Sequence, residues 1–352
     1  VKPHVLGGGT SLIEGPPGFG KSFILKELHK ALTEAGHTVA VIAPTHVAVR
    51  NLKVPGAGTI HCFCHRHVLN GSFKGYVLID EISQVSVQLA VCLESLSLSG
   101  CKIICFGDSL QQQAILPTWR GKSVPGDALM QSKLLKMWCG ETRFEVARYR
   151  RGADEAFCTW FINMRHSKSI DEARREALAR FPVTERKPEW HLCLSHRLRK
   201  IINQKRQAEA VKALDPGELV IRLVPDESSP SEANEAQEFD VFVGTKLVGC
   251  KSAHKGIVNN ALLRVESLSE TTASLVDEET HETIEVTHSA LLKNTRLRWA
   301  ITIAACQGRT LHGVVRLHDI GSQNFTTTNL YVAASRCTHG SNFEVERPSV
   351  ER

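Results

Sequence analysis

The sequence predicts an α/β protein in which helices cover parallel sheets. Up to about residue 140, short apolar runs alternate with helical patterns, which is the rhythm of parallel strands connected by helices. A glycine-rich loop lies between the first of these runs and the first long helical pattern. Apolar runs of the same kind return between residues 299 and 334. The length of 352 residues exceeds one ordinary core, so two or more domains are expected.

The elements of the first 140 residues follow from their apolar periodicity. Ser11–Glu14 is predicted to be a short strand that enters the glycine-rich loop. In the helix that follows, Leu25, Leu28 and Leu32 fall on one face, and Gly36 marks the helix end. The further strands expected in this half are Thr38–Ala43, Tyr76–Asp80 and Lys102–Phe106.

The second half begins with a helical pattern and then changes character. The helical pattern runs from Glu145 to Phe181, and Pro182 follows its end. Pro225–Asp240 is polar and acidic, as expected for a surface loop. A small β-rich insertion is predicted next, with strands at Asn260–Leu268, Thr272–Val276 and Thr283–Val286. The final apolar runs are Trp299–Ala304, Val314–Leu317 and Leu330–Ala334.

The composition is typical of a soluble globular protein and excludes a membrane-spanning one. Hydrophobic residues make up 42% and charged residues 23%, and no apolar run approaches the roughly 18 residues that span a bilayer. No signal peptide is visible, and the eleven cysteines lack the spacing of a disulfide framework, so an intracellular, reducing location is expected. The net charge of +6 permits a nucleic-acid partner without proving one.

The strongest motif is the run Gly15–Ser22, which matches the phosphate-binding pattern G-x-x-x-x-G-K-[ST]. Its glycines let the backbone curl so that several N–H groups point at a polyphosphate. Lys21 would give a positive charge to the β- and γ-phosphates from a solvent-facing position, and Ser22 would offer its hydroxyl to Mg²⁺. The sequence therefore predicts a site for ATP and Mg²⁺ with nucleotide contacts from Gly15, Pro17, Gly18, Gly20, Lys21 and Ser22.

Acidic and amide side chains end the next two strands. Asp80 can hold Mg²⁺, through water, and Glu81 can orient or deprotonate the attacking water. Gln111 can sense the γ-phosphate, and Asp108 can support the loop. An acidic pair that merely caps a helix is the alternative, which the P-loop upstream disfavours. Catalytic roles are thus predicted for Lys21, Asp80, Glu81 and Gln111, and a metal site for Ser22 and Asp80.

Short polar side chains follow two other strand ends. Thr45 and His46 come after Thr38–Ala43, and Thr59 and His61 lie a little further along. Such groups suit contacts to the phosphates and sugars of a single strand, although turn chemistry alone would also explain them. Zinc binding around His61 is disfavoured because the two cysteines there are only two residues apart and no second cluster follows.

Together with segments of the second half, this set resembles the superfamily 1 helicases, in particular the branch that contains RecD, the phage helicase Dda and the PIF-type helicases. Trp299–Leu311 resembles the fifth motif of the family, in which a threonine, a glutamine and a glycine recur. Leu330–Arg336 resembles the sixth motif, whose arginine acts on the γ-phosphate. Tyr149–Arg151 resembles the fourth motif, and Lys255–Asn260 resembles a short Val-Asn-Gly signature.

The resemblance implies a fold of two RecA-like P-loop domains with parallel sheets, the second carrying a small β-rich, SH3-like insertion. ATP would bind between the domains, with Arg336 and Arg150 as catalytic arginines and Arg151 as the alternative register of the latter. It also implies a nucleotide contact from Gly308 and nucleic-acid contacts from Thr302 and Gln307. The predicted domains are 1–140 for the first RecA-like ATP-binding domain, 141–235 for the start of the second, 236–295 for the insertion and 296–352 for the rest of the second.

The chain departs from the family pattern at several places. Ala304–Cys306 stands where the family carries His-Lys-Ser, and Asn260 stands where the signature has glycine. The 14 residues before Gly15 contain no glutamine, so an adenine-reading glutamine is absent from them. Only 14 residues separate His61 from Tyr76, so a strand-splitting pin there would be short and built around Phe63 or Phe73.

The function implied by the resemblance is that of an ATP-dependent helicase that moves 5′ to 3′ along single-stranded nucleic acid, with DNA favoured over RNA and replication proteins as further partners. The compact chain, which starts at Val1, suggests a virus or a mobile element as its source. An RNA helicase of an RNA virus is one alternative, and a single-strand-binding protein with a degenerate motor is another. A P-loop kinase or GTPase is disfavoured because such folds need no distant Gln307 or Arg336.

Overall fold

Contacts within the chain divide it into two compact units. The first unit comprises Val1–Ile170 and Thr326–Gly340, and the second comprises Asp171–Phe325 and Ser341–Arg352. The structure, a computed structural model, describes residues 1–68, 73–111, 118–119, 122–125, 127–164, 166, 169–225, 237–250 and 256–348.

Helices are spread over both units. In chain order they are α1 (Lys2–Leu6), α2 (Lys21–Glu34), α3 (His46–Leu52), α4 (Ile60–Phe63), α5 (Val87–Leu98), α6 (Lys133–Cys139), α7 (Glu155–Met164), α8 (Ile170–Arg180), α9 (His196–Lys212), α10 (His288–Asn294) and α11 (Thr327–Ala334). Short turns of other helical types lie at Cys64–Val68, Ile82–Gln84, Ala304–Cys306 and Gly340–Asn342.

The strands of the first unit are β1 (Ser11–Glu14), β2 (Val39–Ala43), β3 (Gly58–Thr59), β4 (Tyr76–Ile79), β5 (Lys102–Gly107), β6 (Thr118–Trp119), β7 (Lys122–Ser123) and β8 (Arg143–Glu145). Those of the second unit are β9 (Trp190–Cys193), β10 (Ile221–Leu223), β11 (Phe239–Val241), β12 (Lys246–Gly249), β13 (Leu262–Leu268), β14 (Thr272–Asp277), β15 (Thr283–Thr287), β16 (Thr295–Leu297), β17 (Ala300–Thr302), β18 (Val315–Leu317) and β19 (Phe343–Val345).

The first unit is built on a parallel sheet with the strand order β3-β2-β4-β5-β1-β8. Successive residues of β5 pack into different cores: Ile103 and Cys105 join one apolar cluster, and Ile104 and Phe106 join another. Burial on both faces explains why these strands are continuous apolar runs in the sequence. The strands predicted at the start of the chain are confirmed, within one residue at their ends. The carboxyl ends of β1, β4 and β5 therefore lie side by side at one edge of the sheet.

The helix predicted from Glu145 to Phe181 is wrong in its first part. Residues 143–145 form β8, residues 146–154 are not helical, and the helices α7 and α8 begin only at Glu155 and Ile170. The helix starts at Glu155 because the Asp154 carboxylate accepts a hydrogen bond from the Phe157 backbone N–H at 2.9 Å. Residues before that point pair with the glycine-rich loop instead: the Val146 N–H donates to Glu14 O, and the Arg150 N–H donates to Gly18 O, both at 2.8 Å.

The second unit combines a parallel and an antiparallel sheet. Its parallel sheet has the order β17-β9-β18-β19, and its antiparallel sheet has the order β15-β14-β13-β12-β16. The antiparallel sheet confirms the predicted β-rich insertion, including its three predicted strands. Of the predicted loop Pro225–Asp240, residues 226–236 lie outside the described part of the chain, and Asp240 lies in β11, which pairs with β10.

The last predicted apolar run, Leu330–Ala334, is helical. Thr326 and Asn329 form a reciprocal capping box that starts α11, and apolar residues all round the helix are buried. Contacts group Thr326–Gly340 with the first unit, and the same grouping applies to residues 141–170. The sequence assigned both segments to the second RecA-like domain, and its four domain bounds stay a prediction.

Two general features of the described residues bear on the cellular setting. No disulfide joins the eleven cysteines, all of which lie in the described part of the chain. None of the described helices has the length and apolar character that crossing a bilayer requires.

Candidate functional site

The glycine-rich loop Gly15–Gly20 joins β1 to α2 at the carboxyl edge of the first unit's sheet. Gly18 has a left-handed backbone with φ of +83°, and a Cβ on it would lie 2.6 Å from the Cβ of Arg151. A side chain at this position would thus be both strained and in collision. Gly20, with φ of +94°, is the N-cap of α2. The loop is held in a tight curve under the segment Tyr149–Arg151, as a phosphate-binding loop requires.

Lys21 is buried, which corrects the prediction that it faces solvent. Its residue exposure is 7%, and its Nζ donates hydrogen bonds to Gly15 O at 2.5 Å and Pro16 O at 3.1 Å. Burial lowers the pKa of Lys21, while the negative charges of Glu81 and then Asp108 oppose that shift. The ammonium is therefore placed inside the loop among carboxylates, because the carbonyls of the curled loop draw it inward.

Ser22 and Asp80, the predicted Mg²⁺ ligands, are adjacent. The Ser22 hydroxyl donates to Asp80 Oδ2 at 3.4 Å, and the Glu81 N–H donates to Asp80 Oδ1 at 3.0 Å. Burial, reinforced by the charge of Glu81, raises the pKa of Asp80 to about 7. Because burial makes the ionised Asp80 carboxylate energetically unfavourable, a nearby cation would stabilise it. The oxygens of Ser22 and Asp80 therefore suit a divalent metal ion.

Glu81 combines backbone strain with an unpaired oxygen. Its φ of +50° lies in the left-handed region, which is uncommon for residues other than glycine. Its Oε2 is buried and has no hydrogen-bond partner in the described structure. Strain and an unsatisfied buried oxygen at one residue are features that cluster at functional sites.

The next strand end carries Asp108 and Gln111. Asp108 Oδ2 accepts a 2.6 Å hydrogen bond from the buried Tyr331 hydroxyl, and its Oδ1 accepts from the Leu110 N–H at 3.0 Å. Gln111 is 2% exposed, and its Oε1 has no hydrogen-bond partner in the described structure. The sequence pointed to Asp108 and Gln111 but missed Tyr331, since only a contact across 223 residues reveals its role.

Three arginines lie around the loop. Arg150 is exposed, and its Cδ would lie 3.2 Å from a Cβ on Gly20. Arg151 donates through its Nη1 to Ser335 O, and burial, reinforced by the charge of Arg336, lowers the pKa of Arg151 to about 10. Arg336 is 1% exposed and donates through Nη2 to the Ser335 hydroxyl at 2.9 Å. Arg150 and Arg151, the two alternatives for the catalytic arginine of the fourth motif, thus both border the site.

The three threonines among the predicted nucleic-acid contacts share one local feature. Thr45, Thr59 and Thr302 each cap a helical turn, accepting hydrogen bonds from the N–H groups of Ala48, Cys62 and Ala305 at 3.2 to 3.3 Å. Thr45 and Thr59 follow the neighbouring parallel strands β2 and β3, and His46 and His61 beside them are exposed. Thr302 ends β17 in the second unit, where Gln307 and Gly308 follow it.

Two departures from the family pattern have structural explanations. Asn260 stands where the signature has glycine and takes a left-handed conformation, φ +63°, that asparagine tolerates better than most residues. Lys255 of the same signature lies outside the described residues. At the predicted pin, Phe63 is buried and packs edge-on against the partly buried Phe73, with 5.3 Å between ring centres, and residues 69–72 lie outside the described part.

The first unit thus brings together the residues predicted to hold ATP and Mg²⁺ except Gly308, which lies in the second unit. The donors fit: the curled loop and Lys21 suit phosphates, and the Ser22 and Asp80 oxygens suit a hard cation. Within the described residues, no group of three or more His, Cys, Asp or Glu side chains is arranged to hold a metal ion. Mg²⁺ needs only one or two protein ligands when phosphates and water supply the rest.

Comparisons with known proteins agree with this architecture. Residues 3–123 match the AAA domain family. No protein of curated function matches the sequence significantly.

Solved structures resemble the chain over nearly its whole length. A structure of two coordinating Pif1 helicases at forked dsDNA has a TM-score of 0.69 and 20% identity, covering 98% of this chain and 90% of that one. The Pif1 helicase from Candida albicans has a TM-score of 0.67 and 18% identity, covering 99% and 93%. The Bacteroides Pif1 helicase in complex with ADP-AlF3 and ssDNA has a TM-score of 0.66 and 20% identity, covering 96% and 89%.

These likenesses confirm the predicted α/β fold with RecA-like domains and parallel sheets. The SH3-like character of the β-rich insertion stays a prediction.

The hydrogen bond from Tyr331 to Asp108 leads to a stability prediction. Tyr331→Phe removes a buried donor from the charged Asp108 carboxylate, so the free energy of unfolding should fall by about 1–3 kcal/mol. The matched control is Tyr76→Phe, because the Tyr76 hydroxyl donates to Val5 O over a longer 3.4 Å. Urea denaturation measures the free energy of unfolding of both variants. Equal losses would show that the hydrogen bond to Asp108 contributes no more than the one from Tyr76 to Val5.

Proposed function

We propose that the protein is an ATP-dependent helicase of superfamily 1 that moves 5′ to 3′ along single-stranded DNA. The observation that carries this proposal is the buried Lys21 in a phosphate-binding loop, with Asp80 and Glu81 close to it at the carboxyl end of β4. The fold shared with Pif1 helicases supports it, and two of those structures, both of Bacteroides Pif1, are complexes with single-stranded DNA.

In this proposal the first unit's loop holds the nucleotide. Lys21 and the loop N–H groups, with Gly15, Pro17, Gly18 and Gly20 shaping the backbone, bind the phosphates. Mg²⁺, held by Ser22 and Asp80, would neutralise charge on the phosphates. Glu81 orients the attacking water and accepts its proton through the oxygen that has no protein partner.

Charge that develops during phosphoryl transfer needs further cations and donors. Arg336, Arg151 and Arg150 border the loop, and Gln111 presents an amide oxygen without a partner. We assign to these arginines the stabilisation of the transferring phosphoryl group, and to Gln111 the sensing of the γ-phosphate. Gly308 is proposed as a further nucleotide contact.

The capping threonines suit a nucleic-acid backbone. A threonine oxygen that accepts a backbone N–H keeps its own O–H free to donate to a phosphate oxygen. Thr45, Thr59 and Thr302 are in this state, and contacts of this type position a strand without reading its sequence. His46, His61 and Gln307 are proposed as further nucleic-acid contacts.

We also propose, more narrowly, that the protein acts inside the cell with replication proteins and comes from a virus or a mobile element.

The direct test is ATP turnover with and without single-stranded DNA and RNA. We expect stimulation by DNA above that by RNA, and loss of turnover by roughly 10² or more in Lys21→Ala, because the phosphate charge is no longer stabilised. Lys30→Ala, which removes an exposed lysine from the same helix, is the matched control. Because Lys21 is buried, the folded fraction of each variant is measured by circular dichroism. Turnover of folded Lys21→Ala within about tenfold of the parent would overturn the assignment.

A second prediction concerns Glu81. Glu81→Gln keeps the shape of the side chain but cannot accept a proton, so nucleotide affinity should persist while hydrolysis falls by about 10² or more. Nucleotide affinity and single-turnover hydrolysis are measured separately, with Glu27→Gln on α2 as the control. Parallel loss of both quantities in Glu81→Gln would assign Glu81 a structural role.

The polarity of movement gives a third prediction. Partial duplexes that differ only in the end carrying the overhang should be unwound from the 5′ tail, and blunt duplexes should stay closed. Strand separation should be weak relative to translocation, because Phe63 is buried and the pin segment is short. Preference for the 3′ tail would reject the 5′-to-3′ assignment and leave the ATP site unaffected.

A further inference from the structure

The second unit contains a cavity of about 490 Å³ that the proposed function does not use. It lies between β9, β18, α9 and residues 184–188. One part of its lining is apolar, with Pro188, Leu198, Ile201 and Ile202, and another part is basic, with Lys187, Lys205 and Arg206. Its volume lies in the range of small-molecule sites.

Two nitrogen atoms of the lining residues are buried without a hydrogen-bond partner in the described structure: His191 Nε2 and Arg206 Nε. His191 is 5% exposed. The Nη1 of Arg206 is held by Glu209 at 2.8 Å, which fixes the guanidinium while leaving its Nε unsatisfied. Buried polar atoms are nearly always satisfied, so two such atoms at one cavity indicate a ligand that supplies the missing partner.

His191 is the end of a chain of hydrogen bonds that includes the buried His318 and the exposed Glu346. Its Nδ1 lies 2.8 Å from Nε2 of His318, and Nδ1 of His318 is hydrogen-bonded to Oε2 of Glu346. When His318 is neutral, its Nδ1–H donates to Glu346 and its Nε2 accepts from His191, which leaves Nε2 of His191 as an acceptor. When His318 gains a proton, its Nε2–H donates to His191, and the proton of His191 moves to Nε2, which becomes a donor.

Burial and the charges around His191 disfavour a second proton on its imidazole ring. Burial, reinforced by His318 and by the charges of Arg206 and Arg316, lowers the pKa of His191 to about 3, with Glu346 as the opposing charge. The hydrogen bond from His318 lowers the pKa of Glu346. A positive charge on His191 is therefore disfavoured, and this ring can present an N–H at Nε2 only by changing its tautomer.

We propose that this cavity binds the phosphate group of a small phosphate monoester, with uptake of one proton by the hydrogen-bonded chain of His191, His318 and Glu346. The phosphate oxygens accept hydrogen bonds from Arg206 Nε–H and His191 Nε2–H, and Lys187 and Lys205 add positive charge. The organic part of the ligand packs on the apolar lining. Three glutamates also line the cavity, but Glu209 is paired with Arg206 and Glu346 with His318, which leaves Glu185 as the opposing charge.

The proposal is tested by calorimetry on the full chain carrying Lys21→Ala, so that binding at the P-loop is suppressed. The probes are adenosine monophosphate, inorganic phosphate and sulfate, at pH 6 and pH 8, in buffers of different ionisation heat. Sulfate does not titrate in this range, so any pH dependence of its binding belongs to the protein. We expect the monoester to bind more tightly than inorganic phosphate, and sulfate to bind more tightly at pH 6 with uptake of about one proton.

Variants assign the binding to the cavity. Arg206→Met should weaken every probe by about tenfold or more, because a charge-assisted hydrogen bond is lost. His318→Gln should remove the pH dependence for sulfate, and His191→Gln, which keeps a polar end, should lose less affinity than His191→Phe. Arg175→Met, which removes an exposed arginine of α8, is the control and should leave binding unchanged. The melting temperature without ligand confirms that each variant is folded.

Three outcomes would overturn the proposal. One is the absence of millimolar or tighter binding of all probes to the folded parent. Another is binding that folded Arg206→Met retains at full strength. The third is tighter binding of inorganic phosphate than of the monoester, which would exclude a role for the apolar lining.

Discussion

The buried ammonium of Lys21 is the constraint around which the first unit is organised. A lysine with 7% exposure is costly unless hydrogen bonds and opposite charges surround it. The loop carbonyls of Gly15 and Pro16 supply the hydrogen bonds, and carboxylates at the ends of β4 and β5 supply the charge. Because β5 lies between β4 and β1 in the sheet, strand order alone places those carboxylates beside the loop.

The charges of the site are incompletely balanced, and this imbalance defines what the site can bind. Burial and Glu81 make the ionised form of Asp80 costly, which a divalent cation next to Ser22 would relieve. On the other side, burial and then the charge of Arg336 disfavour the positive charge of Arg151, which an anion would relieve. The site thus disfavours the ionised forms of both Asp80 and Arg151. A polyphosphate that carries a metal ion would stabilise both charges, because the cation would lie near the carboxylate and the phosphates near the arginine.

The sequence predicted the parts that local patterns encode. The loop and the strands around it were found because glycines at fixed offsets and apolar runs are readable within about 15 residues. The burial of Lys21, the partner of Asp108 and the non-helical course of residues 146–154 depend on contacts between distant segments. Tyr331 reaches Asp108 across 223 residues, and the segment before Glu155 pairs with the P-loop rather than coiling. Periodicity within a segment carries no signal of such pairing.

A buried polar atom without a hydrogen-bond partner indicates a binding site only where the surrounding charges and the adjoining volume suit a ligand. The indole nitrogen of Trp138 also has no hydrogen-bond partner in the described structure, but this side chain is packed in an apolar cluster. Glu81 and Gln111 differ, because their free oxygens lie at the edge of a sheet beside a phosphate-binding loop. His191 and Arg206 differ in another way, since a cavity of about 490 Å³ adjoins both and hydrogen bonds fix the rest of each side chain. An orphan atom on an immobilised side chain beside open volume cannot relax into an internal hydrogen bond, so its partner must come from water or from a ligand. This criterion supports both proposals, the anion site at the glycine-rich loop of the first unit and the one in the cavity of the second.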